Sequence, residues 1–420
     1  MRYETVNAKS LLSKPIYGDS WFHINRSINS YRGCEFGCNY CDGRSEYYHV
    51  DDFDSHIRIK QNAPEVLRKE LEKEGFVSRS KLETETLWAF LEDEDAKRLA
   101  LKTPRRQVIG VCGGVSDGYQ QAEETHCVTR RNLEVLLDFE LPVFILTKSK
   151  LVLRDLDLLK KIHEVAFANI DFTITLHDPE VKSAFEPKSA TTEERFQALK
   201  KLRSLGFFGG VMATPLIPGI GDNYENMRAL AKEAKRANAE FIVFGGMTLK
   251  PGRQKDLFLR VVKHKFPEHL DFITRIYALN NKYGNPDYSV KKVRSMLRGY
   301  EVCKEVGISD RSVRHKIPFE HDVNNLVLGK ILDILFYQRY LLGMRKSELQ
   351  PHSDLAIRLE RGVENLNELR DNGNLQSRLL VDDELLSQIT QIMDTGSCDK
   401  LAKIHEMIQE QVEMQRVIET

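Results

Sequence analysis

Arg32-Gly33-Cys34-Glu35-Phe36-Gly37-Cys38-Asn39-Tyr40-Cys41 decides how the rest of the chain is read. Three of the chain's seven cysteines fall within these ten residues, at Cx3Cx2C spacing. Thiolates this close converge on one soft metal centre, and cysteine thiolates are the usual ligands of iron–sulfur clusters. A cubane has four irons, so three local thiolates leave one iron without a protein ligand. An open coordination position is what separates a catalytic metal from a structural one. That iron can take a small molecule through an amine and a carboxylate. Gly33 and Gly37 let the backbone curl around an inorganic core, and Tyr40 offers an aromatic face beside it. Zinc is the competing reading. It usually takes four ligands, often as two CxxC pairs, and no second pair exists here.

Composition sets the frame for that centre. The 420 residues are 41% hydrophobic, enough for one large barrel or two domains with a sizeable core. Sixty-two Lys and Arg balance 62 Asp and Glu, so no overall basic field draws nucleic acid in, although a local groove can still be basic. The N-terminal MRYETVNAKS has no apolar signal core. No apolar run approaches membrane-spanning length. Seven irregularly spread cysteines are not a disulfide framework. A cytoplasmic protein in a reducing compartment, with no membrane partner, is the expectation.

The order of elements points to an α/β fold. Residues 1–30 read as an extended lead-in, with a first strand over Ser27–Tyr31 delivering the cysteine loop at its C-terminal end. Loops at that end of parallel strands carry the chemistry of α/β barrels. Asn62 N-caps a helix with Pro64 in its first turn and Val66, Leu67 and Leu71 on one face. Residues 76–104 read as a charged helical insertion. Strands follow at 107–113, 142–147, 167–176, 207–216 and 240–249. Helices alternate with them at 129–139, 155–164, 191–205 and 223–237, and Thr191 with Glu194 forms a capping box. Six β/α units imply a parallel sheet with helical crossovers, too few for a closed eight-fold barrel. The expected fold is a partial (β/α)6 barrel. Helices over 250–317 wrap its open side. Beyond Asn324 the pattern is purely helical, with an apolar stripe of Leu326, Leu328, Ile331, Leu332, Leu335 and Phe336. The expected domains are 1–317, the barrel core with its lead-in and post-barrel helices, and 318–420, a helical C-terminal region that caps the barrel or receives a protein partner.

The cysteine loop followed by six β/α units resembles the radical SAM superfamily, and more narrowly the family related to spore photoproduct lyase. The stretches that carry the resemblance are SINSYRGCEFGCNYC, IRIKQNAPEVLRKEL, GVSDGYQ, TRRNLEVL, LTKSKLVLRDLDLL, FEPKSATTEERFQALKKL, GVMATPLIPGIGD and LFLRVVKHKFPEHLDFITRIYALNN. They span roughly Ala8 to Ile308. The resemblance implies a [4Fe-4S] cluster on Cys34, Cys38 and Cys41, and S-adenosylmethionine (SAM) on the open iron. It places Ser116 and Asp117 at the SAM amino group and Lys148 at its carboxylate. Thr175 goes to the ribose pocket, Glu186 and Arg195 complete that side, and Ile217-Pro218-Gly219 packs near the adenine. Read as residues alone, Lys148 ends an apolar strand, where a charge is out of place unless used or solvated. Asp117 also fits a plain turn, and Arg195 a surface helix.

The implied activity is that of a radical SAM enzyme. An electron from a flavodoxin- or ferredoxin-type reductase cleaves SAM to methionine and a 5′-deoxyadenosyl radical, which abstracts hydrogen from substrate. Spore photoproduct lyases then return hydrogen from a cysteine two residues before the Ser-Asp pair, a position held here by Gly114. Cys112 shares its strand parity and is the candidate donor, with Tyr40 as a catalytic neighbour; a packed core thiol is the other reading of Cys112. The family's Tyr after the third cysteine is replaced by Asp42. Both departures point to a related enzyme with a different end reaction. The basic residues at 250–265 and 291–316 suggest a nucleic-acid base as substrate. A peptide, protein or small molecule is the alternative, and a true DNA photoproduct lyase the second alternative.

Overall fold

The computed structural model describes residues 1–84, 107–111, 116–287, 294–318 and 320–419. Cys112, Gly114, most of the charged insertion and Lys291-Lys292 lie outside the described residues. Nine strands are described: β1 Arg2–Val6, β2 Arg26–Ile28, β3 Tyr31–Arg32, β4 His56–Lys60, β5 Ile109–Val111, β6 Val143–Thr147, β7 Ala168–Thr173, β8 Val211–Leu216 and β9 Ile242–Gly246. Six of them form one sheet in the order β2-β5-β6-β7-β8-β9, every pair parallel. β2 and β9 are its two edges. This is the open, six-stranded partial barrel that the alternation of elements requires, followed by a helical C-terminal region.

The lead-in departs from expectation. β1 pairs in parallel with β4, and β3 pairs antiparallel with β4, making a small side sheet. The strand expected over 27–31 is split: Arg26–Ile28 joins the barrel, while Tyr31–Arg32 turns into the side sheet and aims the cysteine loop. Asn62 does sit at the N-cap of the helix Ala63–Lys73, but its side chain makes no cap bond. It bridges the Ala8 N–H at 2.7 Å and the Ala8 carbonyl at 3.0 Å. The Thr191–Glu194 capping box forms as expected on Thr192–Ser204.

Strand alternation sorts side chains between two cores. On β7, Ile170 and Phe172 join Val143, Ile145, Val211 and Ala213 against the crossover helices. The opposite face carries Phe144, Met212 and Val243. These lumen residues share one core with Leu328, Ile331 and Leu332 of the helix Asp322–Phe336. The helical region thus packs into the barrel's inner face rather than standing apart. Among the described residues, no helix is long and apolar enough to cross a membrane.

Candidate active site

The cysteine loop is shaped by its own glycines and gripped by its surroundings. Gly33 has φ +88°, and a Cβ there would lie 2.8 Å from the Phe53 carbonyl and 2.9 Å from that of His56. Only glycine fits. Gln120 binds the start of the loop twice, donating to the Gly33 carbonyl at 3.2 Å and accepting from the Glu35 N–H at 2.8 Å. Buried Glu35 accepts from Tyr3 Oη and from the Ala122 N–H, each at 2.6 Å. Arg44 donates to the Cys38 carbonyl at 2.8 Å and to Asp54 at 2.7 Å. From the far side of the barrel, Gln254 donates to the Tyr40 carbonyl at 2.9 Å and Lys250 pairs with Asp42. Asp42, where the resembling family has tyrosine, therefore ties the loop to the segment after β9. Tyr48 Oη donates to the same carboxylate at 2.6 Å.

The three cysteines open onto one cavity of about 460 Å³, whose wall also includes Tyr40, Asp42, Ser116, Asp117 and Lys148. Cys34 and Cys38 are buried and Cys41 is half-buried. Burial, Asp117 and the neighbouring thiols push the Cys34 thiol up. Burial pushes Cys38 up to about 12, against the pull of Lys148. Thiols held together and opposed to ionisation are the state that a cationic centre relieves, because a coordinating thiol is deprotonated outright. Among the described residues, no three His, Cys, Asp or Glu side chains are grouped to hold a single metal ion. A cubane does not require that, since each cysteine binds a different iron. The donor set fits a three-cysteine cluster.

Asp117 is pinned on both oxygens. Oδ1 accepts from Thr147 Oγ1 at 2.7 Å and the Tyr119 N–H at 2.9 Å, and Oδ2 accepts from the Lys148 N–H at 2.9 Å. It locks the end of β6, and with it Lys148, whose Nζ lies 5.9 Å from the Tyr40 ring centroid. Burial opposes the charge on Lys148, but the Cys38 and Glu186 charges outweigh it and hold its pKa above the usual lysine value. Ser116 Oγ donates to the Tyr31 carbonyl at 3.0 Å.

Thr175, Glu186 and Arg195 come together, but not on the cavity wall. Arg195 and Glu186 form an ion pair with each side chain only 1% exposed. Tyr40 Oη donates to Glu186, and Thr175 Oγ1 does so at 3.3 Å. Arg195 also donates to the Thr173 carbonyl at 2.7 Å and to Ser189 Oγ at 2.7 Å. Burial opposes ionisation of Glu186, yet Arg195, Lys148 and the Tyr40 hydroxyl override it and hold its pKa at about 2. This network fixes Tyr40 from behind. β7 ends at Thr173, and Thr173 is the residue of that strand that reaches the cavity.

Gln120, Arg44, Gln254 and the Asp42–Lys250 pair are functional neighbours that sequence reasoning passed over. Arg44 carried a signal, a cation three residues after the last cysteine. Gln120 sits inside the GVSDGYQ stretch but has no chemistry that marks it. Gln254 lies more than 200 residues from the loop it holds.

A parallel partial barrel with a three-cysteine loop and a lysine at its strand ends defines the class. Residues 28–234 match the radical SAM superfamily. The chain carries a radical SAM domain over those residues, just under half of its length. The superfamily implies a [4Fe-4S] cluster, SAM and an electron donor. An uncharacterised Mycobacterium tuberculosis protein is 25% identical over 301 residues, covering 70% of this chain and 78% of the relative. One from Methanocaldococcus jannaschii is 26% identical over 277 residues, covering 65% and 88%. Among solved structures, spore photoproduct lyase complexed with dinucleoside spore photoproduct aligns with TM-score 0.48 and 15% identity, covering 72% of this chain and 79% of that one.

Proposed function

We propose that this enzyme binds SAM at a cluster held by Cys34, Cys38 and Cys41, and uses it to abstract hydrogen from a compact substrate enclosed in the barrel. The carrying observation is that all three cysteines, Asp117 and Lys148 line one cavity. When bound, the cluster and SAM supply the electron transfer and the radical; the protein supplies position and exclusion of water. Lys148 holds the SAM carboxylate, and Ser116 with the Asp117 turn faces the amino group. Tyr40 presents its ring beside them, braced by Glu186, Arg195 and Thr175. Cys112 is retained as a candidate hydrogen donor from its sequence position alone. A flavodoxin- or ferredoxin-type reductase delivers the electron in a reducing, cytoplasmic setting. Residues 1–317 act as the catalytic core and 318–420 as a helical region that closes it.

Internal pairing of the basic runs favours a small molecule or a side chain over nucleic acid as substrate. Lys250 pairs with Asp42, Arg253 with Asp51 and Arg314 with Glu320. Lys255 donates to the Tyr277 carbonyl, and Arg298 to that of Asp222. Arg260, Lys263 and Lys265 remain exposed, a short patch of the kind that is usually a solvated face. A nucleic-acid base remains the alternative, with a photoproduct lyase behind it. Both require DNA binding that weakens steeply with salt.

Two measurements test the proposal. Anaerobically reconstituted protein should hold four irons in the wild type, and replacing Cys38 with Ala should remove the cluster. SAM binding by equilibrium dialysis should weaken on Lys148→Met. Full iron content in the Cys38 variant, or unchanged SAM binding in the Lys148 variant, would refute the corresponding assignment.

A further inference from the structure

The cavity is chemically graded along the barrel axis. Its ionisable groups, namely the cysteines, Tyr40, Asp42, Asp117 and Lys148, sit at the mouth. The wall continues down to Phe22, Ile24, Phe144 and Leu146, with the Ser27 hydroxyl as a neutral polar group at the level of Phe144. Phe144 lies four residues before Lys148 along β6 and its end, roughly 13 Å deeper at strand rise. Phe22 and Phe144 meet there with ring centroids 5.6 Å apart. No charged side chain lines this lower part among the described residues.

This floor is held from below. Asp19 accepts from the N–H groups of Trp21, Phe22 and Ile24 at 3.0, 3.3 and 3.3 Å, fixing the turn before β2. The chain after the barrel then takes the turn's carbonyls. Arg311 donates to Ser20, Ser312 Oγ to Trp21 at 2.7 Å, and His315 Nε2 to Phe22 at 3.1 Å. Trp21 packs edge-on against Phe336 and Tyr340, at 5.1 and 5.2 Å. The Arg311 guanidinium stacks 3.6 Å from the Phe336 ring centroid. The hydrogen bonds on its own N–H and carbonyl and the Phe144 ring beside it limit how far half-buried Phe22 can move aside.

We propose that this deep end seats an uncharged apolar group of the substrate, of ring or branched-alkyl size, and that Phe22 and Phe144 determine which group fits. The inference rests on the radical SAM reading and adds the chemical class of the substrate's enclosed end. A phosphate or carboxylate placed there would lose its hydration with no cation or ordered N–H to replace it. A flat or branched hydrocarbon would replace poorly held water against aromatic walls.

The test uses the full chain and small probes, read by calorimetry. The probes are indole and 2-naphthol as neutral rings, with benzoate and thymidine 5′-monophosphate as charged ones. Indole should bind and the charged probes should not. Leu146→Trp fills the deep end and should weaken indole binding by about tenfold or more. Phe22→Leu enlarges it and should favour 2-naphthol over indole relative to wild type, which keeps the test usable should the tryptophan prevent folding. The proposal is overturned if benzoate or the nucleotide binds as tightly as indole, if folded Leu146→Trp binds indole normally, or if Phe22→Leu leaves the naphthol-to-indole ratio unchanged. SAM cleavage by the wild type is scored separately. Cleavage without neutral-probe binding removes only this inference; probe binding without cleavage removes only the enzymatic reading.

Discussion

Arg195→Met separates a bracing role from direct SAM contact. Arg195 and Glu186 are each 1% exposed, and Arg195 also donates to Thr173, Ser189 and Ala190. Removing one partner of a buried pair leaves an uncompensated charge, at a cost of about 3–5 kcal/mol. Glu186→Gln keeps an acceptor for Tyr40 but leaves the buried Arg195 cation without its anion, so its cost should also be about 3–5 kcal/mol. The two share one network, so the double variant should lose less than the sum, with a coupling of about 0.5–3 kcal/mol. Urea unfolding of the cluster-free chain at pH 7 measures all three. The pH dependence carries a second signature. In the wild type the Glu186 pKa, at about 2, lies below the ordinary 4.5, so its contribution is present above pH 4.5 and lost as pH falls towards 2. Without Arg195, burial is no longer outweighed to the same degree, and that acid-side loss should shrink. A cost below about 1 kcal/mol for Arg195→Met would refute the bracing role.

Three further outcomes follow from the fold. Burial raises Asp171 to about 7, against the Gly210 N–H that it accepts at 2.7 Å. The folded state therefore keeps a proton that the unfolded chain has lost, and stability should fall as pH rises from about 4 to 7, by on the order of 1.4 kcal/mol per unit. Asp171→Asn should flatten that slope in pH-dependent denaturation; an unchanged slope would show that Asp171 is not its source. Gly33→Ala forces a Cβ to within 3 Å of two carbonyls at positive φ, and should lower iron content after reconstitution along with stability. Leu332→Ala, in the core that joins the tail to the barrel lumen, should cost about 2–5 kcal/mol. It should shift one cooperative transition; two separate transitions would make 318–420 an independent domain.

Much of this was legible from residue pattern. Period-two and period-3.6 segments placed the β/α units, and the Cx3Cx2C loop placed the mouth. What escaped depended on distant pairing. β1 reads as a polar lead-in because four of its five residues are exposed and it pairs with β4 residues 54 positions further along the chain. Thr175 and Thr173 share strand parity, so periodicity could not tell that β7 stops at Thr173 and leaves Thr175 on Glu186. Arg195 lies on a helix that reads as surface, and its burial follows from Glu186, an anion nine residues away. The basic runs at 250–316 looked free because their partners, from Asp42 to Glu320, are set by tertiary contact.

The most direct test is formation of 5′-deoxyadenosine by the anaerobically reconstituted, reduced protein supplied with SAM. The wild type should produce it, and Cys38→Ala should produce none while lacking the cluster. A wild-type protein that holds four irons, accepts an electron and yet cleaves no SAM would contradict the radical SAM reading of this cavity.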